Sequence, residues 1–135
     1  MLITGILATA GGLRFAESLS QNRANYAARR VVEDLTWARH SARNSNRAVT
    51  INFSVANSRY TISPLLNASG ATVSQTVELA TGPAQATLVN ANCGGDAVLV
   101  FNGFGLPDSG GTIVMRSGGV NRTIHIDSKT GEARM

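Results

Sequence analysis

The hydrophobic period of the chain changes once, near residue 47. Before it, apolar side chains recur at Ala24, Ala28, Val31, Leu35, Ala38 and Ala42, in steps of four, three, four, three and four. That spacing puts all six on one face of an α-helix, and Val32 widens the stripe. Arg29 and Glu33, and Arg30 and Asp34, stand four residues apart on the wet side, where such pairs support a helix by roughly 0.2–0.5 kcal/mol each. Arg39, Arg43 and Arg47 gather toward the C-terminal end, where cations suit the helix dipole, and Asn44-Ser45-Asn46 supplies a stop. The predicted helix covers residues 14–46. Its alanines keep the stripe low, so a sheet or another helix can approach closely. Ahead of it, Met1–Leu13 carries no charged side chain. As helix this run would span about 20 Å, short of the roughly 30 Å hydrocarbon core. No basic segment precedes it, as a signal peptide would require. It reads instead as a core helix, or as the later part of a spanning helix. Gly5, Gly11 and Gly12 suit close helix–helix contact, and each weakens a helix by roughly 1 kcal/mol relative to alanine.

From Ala48 the period becomes two. Val49, Ile51, Phe53 and Val55 alternate, Asn57-Ser58 turns, and Tyr60 and Ile62 resume, which predicts a hairpin. Pro64–Gly70 is a loop, and Ala71–Leu79 and Gln85–Asn90 are predicted strands flanking Thr81-Gly82-Pro83. Asn92–Asp96 is a turn. Ala97–Asn102 begins with an unbroken apolar run, the pattern of a strand covered on both faces. Gly103–Gly111 is a loop, and Ser117-Gly118-Gly119 joins strands Thr112–Arg116 and Val120–Asp127. Ser128–Gly131 is a last turn before a short tail strand. The predicted class is α+β: a long N-terminal helix, residues 1–46, packed on a small antiparallel β-sheet domain, residues 47–135. Within the helix, residues 1–13 are the apolar half and 14–46 the amphipathic half. Ala28, Leu35, Ala38 and Ala42 are expected to pack on the sheet, against Phe53, Val100, Ile124 and Ile126.

Composition narrows the functions. A chain of 135 residues suits one domain, and a hydrophobic content of 43% excludes a disordered chain. Cys93 is the one cysteine, and His40 and His125 are the two histidines. Neither a disulfide framework, nor a cysteine-built zinc centre, nor any cofactor is expected. The net charge of +4 is unevenly placed. Residues 14–59 hold eight arginines against three carboxylates, and residues 60–135 hold four cations against five. Arginine pairs bidentately with carboxylate and phosphate, so Arg39, Arg43 and Arg47 are the candidate contacts to an anion or to DNA. Base-reading motifs are absent, and a solvated helix face is the plainer reading.

Other motifs carry less. Pro107-Asp108-Ser109-Gly110-Gly111 is similar to the surroundings of the nucleophile in chymotrypsin-like serine proteases. That chemistry needs a histidine beside the serine and an aspartate to orient it. His40 lies on the arginine-rich helix, so a polar hairpin loop is the expectation. His125, between Ile124 and Ile126, faces outward. Cys93, beside Gly94-Gly95, has no cation in its sequence neighbourhood to activate it. Asn67-Ala68-Ser69 and Asn121-Arg122-Thr123 match the glycosylation tripeptide, a pattern common by chance. No catalytic residue and no small-molecule substrate are expected.

The order of the segments resembles a family. Ile3-Thr4-Gly5-Ile6-Leu7-Ala8, then Arg14-Phe15-Ala16, resembles the second half of a type IV pilin-like N-terminal helix, with Leu13 where that family usually has proline. Leu35, Ala38-Arg39, Ala42-Arg43 and Val49 resemble the pattern of the GspH/FimT minor pseudopilins. Phe101-Asn102-Gly103-Phe104-Gly105-Leu106-Pro107, and Arg122-Thr123-Ile124-His125-Ile126-Asp127 with Thr130-Gly131, resemble that family's closing strands and final turn. The resemblance implies a non-catalytic subunit of a type II secretion pseudopilus or type IV pilus. It implies assembly with other pilin-like subunits and a single-pass place in the inner membrane, with the β domain on the periplasmic side. Ile3, Ile6 and Leu7 would be membrane or filament-core contacts. In that alignment Met1 falls roughly a third of the way into the helix, so the chain reads as N-terminally truncated relative to the family. The runner-up is a DNA-binding minor pilin of a competence pilus. Some FimT-like members of that kind carry a basic tail, whereas here the tail is Gly131-Glu132-Ala133-Arg134-Met135.

Overall fold

The computed structural model describes residues 2–66, 69–82 and 85–135, with side chains described from Ser18 onward except at Leu66. Helix α1 runs from Leu2 to Ser45, about 66 Å at roughly 1.5 Å per residue. Its end is chemically specified. Asn46 adopts φ 53°, Arg47 N–H donates to Ala42 O at 3.2 Å and Asn46 N–H to Arg43 O at 3.4 Å. This is the left-handed cap that satisfies the last carbonyls of a helix, and asparagine is one of the few side chains that tolerate it. Arg47 consequently lies beyond the helix, and Arg43 is the cation of its last turn.

Eight strands follow: β1 (Val49–Ser54), β2 (Arg59–Leu66), β3 (Thr72–Glu78), β4 (Thr87–Asn92), β5 (Val98–Phe101), β6 (Gly111–Ser117), β7 (Val120–Ile126) and β8 (Ala133–Arg134). Where the sequence predicts one small sheet, the strands divide into two four-stranded antiparallel sheets, ordered β3-β2-β1-β5 and β4-β6-β7-β8. The division comes from β5, which pairs back onto β1, with Ile51 opposite Leu99, instead of joining its sequence neighbours β4 and β6. In the second sheet Ile113 stands between Ala91 and Ile124.

The helix closes both sheets. Ala24, Ala27, Ala28, Val31, Leu35, Ala38 and Ala42 are all buried, and from Ala27 onward they pack with Ile51, Phe53, Tyr60, Ile113, Met115 and Ile124 in one core. Ala27 extends the predicted stripe sideways, as a helix lying across two sheets requires. Val100 departs from expectation. It is half-exposed, and Leu99 and Phe101 take the inward positions of β5. β5 buries one face, that of Leu99 and Phe101, so its apolar run does not mean cover on both faces. Ser58, predicted as an ordinary turn residue, is buried at φ 49°. Its Oγ accepts from Leu88 N–H at 3.1 Å and its carbonyl from Leu79 N–H at 3.0 Å. The β1–β2 turn thus fastens to the start of β4 and links the sheets. Asn67 of the first glycosylation tripeptide and Pro83 of the predicted turn lie outside the described residues.

Candidate functional site

Polar ties hold the helix on either flank of its alanine stripe. On one flank Arg30 Nε donates to Asp34 Oδ2 at 3.0 Å, and the Tyr60 hydroxyl of β2 donates to the same oxygen. Burial, and then the bond to Asp34, push the Tyr60 phenol well above its ordinary range, and the bond to Asp34 raises Arg30. A buried hydroxyl needs such a partner, because an unpaired one forfeits its hydration. On the other flank Arg122 Nε of β7 donates to Asn25 Oδ1 at 2.6 Å. Tyr60, Asn25 and Arg122 carry no sequence signal for these roles, since their partners stand 26 and 97 residues away. Arg29 and Glu33 are both exposed and, unlike Arg30 and Asp34, do not close an ion pair. Beside the first tie lies an open groove of about 230 Å³ lined by Tyr26, Arg30, Thr76, Glu78 and Gly82.

At the helix C-terminus Arg39 and Arg43 sit beside the loop between β5 and β6, and Arg47 follows Asn46, whose backbone lies against Gly103 of that loop. Arg43 and Arg47 are exposed, and Arg39 is partly buried with its Nε unpartnered. Among the described residues none of the three closes an ion pair. The loop is built on Asn102. Its Oδ1 accepts from Phe104 N–H at 2.9 Å and Leu106 N–H at 3.0 Å, its N–H donates to Leu106 O at 2.9 Å, and its carbonyl accepts from Gly105 N–H at 2.8 Å. A Cβ on Gly105 would stand 3.3 Å from Arg43 Nε and 3.4 Å from Arg39 O, so the loop lies directly on the helix. Asparagine between a strand and a Gly-X-Gly run is an Asx-turn signal, and it is what makes this organisation readable in retrospect.

The other motifs resolve into structure. Asp108 Oδ1 accepts from Val100 N–H at 3.1 Å and Ser109 Oγ at 3.5 Å. Asp108 therefore pins its loop to β5, and no histidine bonds to Ser109. Cys93 is buried, and burial, with Asp108 and Asp96 nearby, pushes its thiol up to about 11, the reverse of an activated cysteine. His125 is exposed on β7. Among the described residues no three His, Cys, Asp or Glu side chains come together as a metal ion would require. In the tail, Arg134 pairs with Glu132 at 3.1 Å. Asp127 Oδ1 takes Lys129 and Thr130 N–H at 2.7 and 2.9 Å, and these bonds, Thr130's first, hold its carboxyl below the usual range. The side chains of Ile3, Ile6 and Leu7 lie outside the described residues, and no helix among the described residues is long and apolar enough to cross a membrane.

The sequence profile of the family described as Type II transport protein GspH matches residues 27–131. The chain belongs to the GspH family. The match begins within the buried stripe of α1 and ends at the turn before β8, so it spans the C-terminal part of the helix and β1 to β7. Two solved structures share the GspH-family fold. One is the type IV minor pilin FimU of Pseudomonas aeruginosa strain PAO1, with a TM-score of 0.63 and 19% identity over 85% of this chain and 89% of that one. The other is the minor pseudopilin EpsH of the Vibrio cholerae Type 2 Secretion System, with a TM-score of 0.61 and 15% identity over 83% of this chain and 94% of that one. No curated protein sequence matches the chain. The family match and these two structures together give the chain the fold of a minor-pseudopilin-like protein.

Proposed function

We propose that this GspH-family chain works as a non-catalytic minor subunit of a type II secretion pseudopilus or type IV pilus. The observation that carries the reading is the unequal use of one helix. Of the 44 residues of α1, the buried stripe from Ala24 to Ala42 is committed to the chain's own sheets. The preceding run, Met1–Leu13, carries no charged side chain, a composition suited to lipid and to other helices. Ile3, Ile6 and Leu7 would then contact inner-membrane lipid before assembly and neighbouring helices after it, with the β domain on the periplasmic side. Small residues such as Gly5, Gly11 and Gly12 suit that exchange, because they let helices approach closely.

The experiment is a chromosomal Leu7→Asp substitution, read by membrane fractionation and by secretion or piliation. A charged side chain in an apolar helix contact is costly. The substitution is expected to release the protein from the membrane fraction and abolish the phenotype, with β-domain melting unchanged. Normal secretion and piliation after deletion of the whole gene would refute the reading.

A further inference from the structure

Phe104 departs from the rule that a large apolar side chain finds cover. It is 75% exposed, the most of the large hydrophobic side chains described, and Leu106 two residues on is 45% exposed. Exposed apolar side chains are common singly and need no explanation. Here two occur on a loop whose backbone is fixed. Asn102 satisfies both the Phe104 and Leu106 amides, Asp108 N–H bonds Val100 O at 2.9 Å, and the underside rests on α1 at Arg39 and Arg43. The flanking cations lack counter-charges, since Arg39, Arg43 and Arg47 close no ion pair among the described residues. Asn46, adjoining Arg47, lies against Gly103, whose Cβ would come within 3.0 Å of the Asn46 backbone. Loop and arginines are therefore one surface.

We propose that this surface, Phe104 and Leu106 on a loop seated beside Arg39 and Arg43 with Arg47 following, docks a carboxylate-bearing face of a neighbouring pilin-like subunit. Binding energy at protein interfaces concentrates in aromatic and arginine anchors, and a loop already held in one conformation loses little entropy on binding. Guanidinium forks pair bidentately with carboxylates, and charge of one sign on this face selects the opposite sign on its partner. A nucleic acid fits less well. Three cations neutralise few phosphates, and duplex binding draws its strength from phosphate number, whereas Leu106 has no use on a phosphate track. The inference rests on the filament reading for the partner's class, and it adds a second contact, on the β domain, to the one proposed for the helix.

The test is site-specific photocrosslinking in the native host. A benzophenone amino acid replaces Phe104, Leu7 or, as a control on the distant β3 edge, Val73, each in the chromosomal copy. The 104 probe is expected to capture another pilin-like subunit at a peptide containing Asp or Glu, with the Val73 probe silent. Arg43→Glu with Arg47→Glu should lower the 104 yield about ten-fold or more, and changing the captured carboxylates to arginine should restore it. Melting of the purified variant checks its fold. Should the pair unfold the protein, Arg47→Glu alone, beyond the helix, serves with the same expectation. Capture of nucleic acid at 104, or capture indifferent to charge reversal, overturns the proposal. So does silence at 104 while the Leu7 probe captures pilin-like subunits, which leaves the filament reading standing. Silence at both probes overturns both.

Discussion

Replacing Gly131 with alanine separates two costs that are usually measured together. Gly131 has φ 76°, and a Cβ there would stand 2.8 Å from Phe101 Cε1 and 3.1 Å from Pro107 Cδ. Gly70 has nearly the same backbone, φ 83°, with nothing within 4 Å of its Cβ position. The left-handed conformation costs a non-glycine residue about 1–2 kcal/mol, so Gly70→Ala should destabilise by that amount. Gly131→Ala bears the same conformational cost plus overpacking, about 1–3 kcal/mol where neighbours cannot yield. Phe101 is fully buried and cannot swing away. The expected total is about 2–5 kcal/mol. For a chain of this size 1 kcal/mol moves the melting temperature by about 3.5 °C, so the two variants should differ by about 4–10 °C in thermal melts of the full chain. Equal melting temperatures would show that Gly131 matters only for its backbone angle, and that the last turn does not brace Phe101 and Pro107.

Further outcomes follow from the core, the polar ties and Cys93. Tyr60→Phe removes the hydroxyl that bonds Asp34 and should cost about 1.5–3 kcal/mol, the range for a bond to a charged group; a denaturation midpoint unchanged from the parent would mean the tie adds nothing. Leu35, 1% exposed in the core, should cost about 2–5 kcal/mol as alanine, and Ala38→Arg, at a fully buried site, should destabilise by several kcal/mol through a buried charge with no partner. Melting unchanged in both would place the stripe off the core. Cys93, with its thiol raised from 9.0 to about 11, holds its proton more tightly folded than unfolded. Its contribution to stability is present below pH 9 and lost as pH rises toward 11. A Cys93→Ala variant should therefore show less loss of stability over that window than the parent, and native Cys93 should resist alkylation at pH 8 until the protein is unfolded.

The helix was legible because its signal is local. The steps among Ala24, Ala28, Val31, Leu35, Ala38 and Ala42 place them on one face, and all six are buried; the stop at Asn46 is a property of its own side chain. The division into two sheets was not legible. Val98–Phe101 reads as a covered strand, but which strand it joins depends on β1, about half the helix-free chain away, and nothing in either segment names the other. The same distance hid the Tyr60–Asp34 and Arg122–Asn25 ties. Ser58 shows a different gap. A serine after asparagine signals a turn, while its burial against Leu88 and Leu79 is decided by the second sheet. At the proposed surface, the arginines were readable as a cluster, and the loop was readable as a loop. That the two share one surface, with Phe104 outward, follows only from the close seat of Gly105 on α1.

The helix also has a mechanical role. It touches strands of both sheets, and the sheets otherwise meet through the core and the Ser58 turn. An axial pull on its N-terminal end is therefore carried by both sheets side by side, as shear along the alanine seam. A seam of small side chains has little relief to catch on and would let the rod slip. The two lashings, Tyr60 to Asp34 and Arg122 to Asn25, set on opposite flanks, oppose both slip and roll. Cutting one should lower the force at which the helix pulls free, and should leave a rod that rotates out of its bed before it slides.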